Sequence, residues 1–200
     1  MLTITEDWIY DTPDAFAKAV VVYIDDIVYF LVPMRDARTV GKFGGPINAE
    51  IHGLAEGARI HKFIEFDGLS DKVNMLPLLY GICHDGCTMS YHQEDQAIVI
   101  DNIRPPAAHR DWPYSDYPPH YPTHRLGVLG QGRCEFDLFK HFLMQQEVAQ
   151  GDERWSHVIV PPSEGWRVSL WGKWGDAEEV QTVFSIDPIQ RRVFVENQCT

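Results

Sequence analysis

Apolar and polar positions along this chain recur with two periods, and the two-residue period dominates. Val20–Ile24 and 27–32 are runs of β-branched and aromatic residues separated only by Asp25-Asp26, which predicts two strands and a tight turn. "HKFIEF" (61–66), "QAIVI" (96–100), "SHVIV" (156–160), "WRVSLW" (166–171), "EVQTVFSI" (179–186) and "RRVFVE" (191–196) also read as strands. Residues 78–92 predict a hairpin turned at His84-Asp85-Gly86, because Asp-Gly supplies positive φ. "DPIQ" (187–190) joins the last two strands as a type I turn.

The 3.6-residue period is predicted in three places. Thr12 as N-cap and Pro13 at the first helical position open a short helix near 13–19. Ile47, Ile51, Leu54 and Ala55 share one face of a second over 47–56, with Gly57 as its stop. The longest is expected over 135–149, ending at Gly151. Between these elements, residues 104–124 hold prolines 105, 106, 113, 118, 119 and 122, which exclude interior helix and central strand. This segment is expected to be a Pro- and aromatic-rich arm. The fold class is therefore α+β: a mainly antiparallel sheet with one long helix, in a single domain over 1–200 with the arm as an insertion.

Composition sharpens this picture. With 44% hydrophobic and 12% aromatic residues in 200, the chain can bury a core without metal or disulfide staples. The balance of 17 basic against 29 acidic residues gives −12, a field that repels phosphate backbones and favours a basic partner. No basic-then-apolar leader opens the chain, and no apolar run nears the roughly 20 residues of a membrane helix. A cytoplasmic protein with reduced cysteines is expected, binding neither nucleic acid nor membrane.

Four motifs invite chemistry. "VVVYIDDIVYF" (20–30) resembles the paired-aspartate hairpin on which reverse transcriptases hold their catalytic metals. Two-metal phosphoryl transfer also requires a further carboxylate on an adjacent strand and a basic groove. Only 24 residues precede Asp25, Asp11 and Asp14 fall in a predicted turn and helix start, and the charge has the wrong sign. The aspartates are read as a turn that keeps an edge hydrated.

"GVLGQGRCE" (127–135) resembles a dinucleotide-binding fingerprint through Gly130 and Gly132, but its third position is Glu135, a carboxylate where a pyrophosphate would sit. Cys134 stands at a predicted helix start beside Glu135 and Asp137, which oppose a thiolate. Cys83 and Cys87, with His120 and His124, make up a zinc-type ligand set. The cysteine spacing is one residue longer than the usual knuckle, and flanking prolines keep the histidines off a helix.

The function expected from this balance is non-enzymatic: an acidic intracellular binding protein that occupies a basic partner, as an inhibitor or immunity-type protein does. Asp25, Asp26, Trp112, Tyr114, Tyr117, Tyr121, Trp171 and Trp174 are the candidate partner-binding residues. No cofactor is expected on this reading. The alternative is a zinc-dependent hydrolase built on Cys83, Cys87, His120 and His124.

Overall fold

In the computed structural model, residues 1–35, 38–56, 58–82, 88–103, 118–143, 151–161 and 180–199 are described. Among them are thirteen strands: β1 (Leu2–Thr3), β2 (Val20–Ile24), β3 (Ile27–Pro33), β4 (Thr39–Phe43), β5 (Glu50–His52), β6 (Arg59–Phe66), β7 (Leu78–Ile82), β8 (Thr88–Glu94), β9 (Ala97–Ile103), β10 (His124–Arg133), β11 (Ser156–Val160), β12 (Val180–Asp187) and β13 (Arg192–Cys199). Four helices of five residues or fewer accompany them: α1 (Glu6–Tyr10), α2 (Asp14–Ala17), α3 (Asp71–Asn74) and α4 (Phe136–Phe139).

The strands form one mixed sheet in the order β5-β9-β8-β13-β12-β11-β2-β3-β10-β4-β6-β7, with β1 beside β10. Among the described residues, only β1–β10 and β5–β9 pair in parallel. The sheet curls until β7 lies against β8 and β13. There the Tyr91 hydroxyl donates to the Pro77 carbonyl and accepts from the Leu79 amide, both at 2.8 Å. A side chain thus does at the seam what a strand ladder does elsewhere.

Central strands are buried on both faces, which is why they read as continuous apolar runs rather than strict alternation. Val20, Val22, Leu31, Val158, Val160 and Phe184 point into the curl, where Phe63 meets Phe43, Tyr80, Tyr121 and Phe184 at ring separations of 5.3–5.8 Å. Val21, Tyr23, Val28, Phe30, Ile159 and Val183 point outward and are covered by Trp8, Phe16, Phe136, Phe139 and Phe142. The cover consists of α1, α2, α4 and a 3-10 turn at Lys140–Phe142.

The expected α+β class with a long helix is thereby corrected to a mostly β architecture. Of the predicted 135–149 helix, the described residues 135–143 form only α4 and the 3-10 turn, because Phe136, Phe139 and Phe142 each dock on the sheet and the backbone turns extended at Leu143; 144–149 lie outside the described residues. No helix forms over 47–56. Glu50–His52 pairs with β9 instead, and Gly53 takes φ +75, a conformation that ends any helix. The predicted helix near 13–19 is α2, four residues long and begun by Pro13 rather than Thr12. The Thr12 hydroxyl donates back to the Ile9 carbonyl at 2.7 Å and closes α1. The predicted strand at 166–171 and the His84-Asp85-Gly86 turn lie outside the described residues.

Candidate functional site

The tip of the β2–β3 hairpin is the best-defined polar feature that the sequence singled out. Ile24 pairs with Ile27, so Asp25 and Asp26 alone make the turn, at φ 49 and 59. Two consecutive positive φ values define the turn that suits twisted hairpins, and Asp tolerates them better than most residues. Both side chains are exposed at the rim of a cleft of about 460 Å³ that Ile4, Arg133, Cys134, Glu135 and Leu138 also line.

Each aspartate is held. The Tyr23 hydroxyl donates to Asp26 Oδ1 at 2.9 Å, and the Cys134 amide donates to the Asp26 carbonyl at 2.9 Å. Asp25 pairs with Lys72 of α3. Burial, then the nearby Asp26 carboxylate, pushes the Tyr23 hydroxyl well above the usual tyrosine range. Burial also pushes the Cys134 thiol up to about 12, with Asp26 and Glu135 adding to the effect. At neutral pH this thiol stays protonated, which removes it as a nucleophile.

Gly130 and Gly132 lie within β10, not in a strand-to-helix turn. A Cβ on Gly132 would stand 2.7 Å from the Leu2 carbonyl oxygen, and one on Gly130 would stand 2.9 Å from Phe16. These glycines make room for the amino-terminal segment to cross the sheet. No phosphate cradle is formed by them.

The carboxyl end of the Pro-rich arm is built into the core. Tyr121 is fully buried, tilted against His61 at 4.8 Å and stacked with Phe43 at 5.8 Å. His61 Nε2 donates to the Pro118 carbonyl at 2.8 Å, and burial holds this imidazole below the usual histidine range. Gly44 and Gly45 adopt positive φ, and the Gly45 amide donates to the Tyr121 carbonyl at 2.8 Å. Tyr121 is therefore placed away from any exposed face.

Of the expected metal set, His120 is exposed in the turn before Tyr121 and His124 opens β10. Cys83 and Cys87 lie outside the described residues, as do Trp112, Tyr114, Tyr117, Trp171 and Trp174. Among the described residues, no group of three or more His, Cys, Asp or Glu side chains is placed to hold a metal ion. No helix among them is long and apolar enough to cross a membrane.

Sequence reasoning passed over three features. Tyr10 is 71% exposed at the end of α1, among Glu6, Asp7, Asp11 and Asp14, all exposed. Its only sequence signal is position: Trp8 and Ile9 face the sheet and Tyr10 falls on the other side of a short helix. Asp101, at an irregularity in the β8–β9 ladder, meets His92 Nδ1 at 2.8 Å and Arg192 Nε at 3.1 Å. His157 sits fully buried beneath α4. No protein-family model, curated protein or solved structure matches the chain.

Proposed function

We propose that this chain is a non-enzymatic, intracellular binding protein whose acidic outer face occupies a basic protein partner, as an inhibitor or immunity-type protein would. The carrying observation is where charge gathers on the elements that cover the outer face of the sheet. Residues 1–19, the 25–26 turn and 133–142 supply eight carboxylates (Glu6, Asp7, Asp11, Asp14, Asp25, Asp26, Glu135, Asp137) against three basic side chains (Lys18, Arg133, Lys140). Tyr10 stands exposed among four of those acids. An exposed tyrosine with four carboxylates within four residues of it along the chain suits a partner rich in Lys and Arg, since the ring offers contact area and a face for a cation. Long-range attraction then speeds the encounter more than it tightens the complex.

The test is capture from a lysate of the native host on the immobilised chain, followed by association kinetics with the protein identified. A basic protein is expected, with an on-rate that falls roughly tenfold or more from low to high salt. Replacing Asp7, Asp11, Asp14, Asp25 and Asp26 together by Asn should lower the on-rate and leave the fold intact. An on-rate flat in salt overturns the electrostatic basis. Elemental analysis of the dialysed protein examines the alternative. One zinc per chain, lost in both Cys83→Ser and His120→Ala, would move the assignment to a zinc-dependent hydrolase.

A further inference from the structure

His157 is the most unusual group in the cover of the outer face. Its ring is completely buried on β11, 5.1 Å from Phe136 and 5.6 Å from Phe139 of α4, and 6.1 Å from Tyr23 of β2. Nδ1 lies 3.2 Å from the Ser185 hydroxyl of β12, while Nε2 is buried with no hydrogen-bond partner. Phenylalanine would fill an aromatic box of this shape and remove the orphaned nitrogen, at the cost of the one contact to the Ser185 hydroxyl.

We infer that His157 is an acid-operated latch: when its ring takes up a proton, the segment 134–143 lifts from the sheet.

The surroundings offer a charged imidazole little. Two neutral acceptors, the Ser185 hydroxyl and the Asp152 backbone carbonyl, face it, against the cost of burying a charge among aromatic rings. The Tyr23 hydroxyl is already committed to Asp26, and the Cys134 thiol donates to the Glu135 carbonyl. On α4 the charges lie on the solvent side: Asp137 pairs with Lys140, whose ammonium sits 4.9 Å from the Phe136 ring centroid, and Glu135 is exposed. His141 of the 3-10 turn faces Glu6 of α1 at 3.9 Å. In the turn before β11, Asp152 acts on His157 first through its backbone carbonyl and then through its carboxylate, which the Arg154 guanidinium holds. Burial accordingly holds the imidazole down to about 4, with Asp152 pulling weakly the other way.

The sign follows from linkage. A histidine freed into water titrates near the ordinary imidazole value of 6.5, so the docked segment binds fewer protons than the lifted one. Docking is at full strength above pH 6.5 and weakens as pH falls toward 4. The lifting equilibrium should rise about twentyfold between pH 7 and pH 5. Because 134–143 carries Glu135 and Asp137, lifting would also dismantle part of the acidic face. Acid release of a basic partner is the corollary; that corollary alone rests on the function proposed above.

Hydrogen–deuterium exchange of the free protein at pH 7 and pH 5, normalised for intrinsic rates, tests the latch without any partner. The Cys134 amide donates across to the Asp26 carbonyl and reports docking directly, while the Phe139 and Leu143 amides bond within the segment, to the Glu135 and Lys140 carbonyls, and report it through turns too short to persist undocked. Their exchange should accelerate about twentyfold while β12 and β13 keep their protection. His157→Phe should abolish the pH dependence and hold the segment down at both pH values. In case that variant does not fold, NMR titration of the wild-type imidazole gives the same decision. A midpoint below 5 supports the latch, and one between 6 and 7 overturns it. Exchange in 134–143 that is flat with pH, or that rises equally in β12 and β13, also overturns it. A partner still bound at pH 5 while the segment lifts would count against the binding face and not against the latch.

Discussion

The two faces of β2, β3, β11 and β12 are both buried, yet they are buried by different means. The inner face is sealed by the sheet itself, which curls so that Phe63, Tyr80 and Phe184 from β6, β7 and β12 meet across a core bounded by strand hydrogen bonds. The outer face is sealed by separate short pieces that touch the sheet through aromatic rings and a few backbone bonds, such as the Cys134 amide on Asp26. Titratable groups are buried on both sides: His61, Tyr91 and Tyr121 inside the curl, and His157, Cys134 and Tyr23 under the outer cover. Burial alone does not fix how a region behaves; what holds the cover in place decides it.

The sharpest way to break this comparison is to truncate a hub on each side. Phe63→Ala should cost about 3–5 kcal/mol in chemical denaturation, because a fully buried ring contacts partners that cannot close the gap. Phe142→Ala, in the half-buried outer cover, should cost about half as much or less, since its segment can settle. Equal costs would erase the distinction.

Gly132→Ala should destabilise by roughly 1–3 kcal/mol and expose the amino terminus to proteolysis, because its Cβ collides with the Leu2 carbonyl oxygen. Asp26→Ala should cost about 1–2 kcal/mol in thermal unfolding, losing the acceptor for Tyr23 and straining a residue at φ 59. Asp25→Asn, whose partner is exposed Lys72, should change stability by no more than about 0.5 kcal/mol.

A pH-dependent effect concerns Glu196 of β13, whose carboxyl is raised to about 7 by burial. With its folded value above the ordinary 4.5, the native state holds the proton longer, and this support is lost as pH rises through 7. Glu196→Gln should therefore raise the melting temperature at pH 8 and leave it nearly unchanged at pH 4.

Much of the sheet was legible in the sequence because β-branched and aromatic runs have few other uses. The β2–β3 hairpin, β6, β11, β12 and β13 follow those runs closely, and the double aspartate announced its turn. The helix predicted near 13–19 is present as the short α2, whereas those over 47–56 and 135–143 failed for a common reason. Spacings such as Ile47, Ile51 and Phe136, Phe139 fit a helical stripe, but a few anchors cannot distinguish a long helix from a short turn docked ring by ring. β10 was hidden by its glycines, which look like a loop until the crossing of Leu2 and Phe16 explains them. At the candidate site the turn was readable, whereas Tyr10 and His157 were not. Their roles depend on which side of a two-sided layer each one occupies, and the sequence pattern leaves that open.

The hydroxyl of Tyr91 has a consequence for how copies of this chain meet in a crowded solution. β7 ends the sheet, and a terminal strand with idle amides invites a neighbour's strand to dock and propagate. By engaging the Leu79 amide and the Pro77 carbonyl, one phenol turns that border inward, toward β8. Tyr91→Phe removes a single oxygen from the interior, yet it uncovers the border at which strand-by-strand association could begin. Its first visible effect should be slow, concentration-dependent aggregation at temperatures where the monomer is still folded.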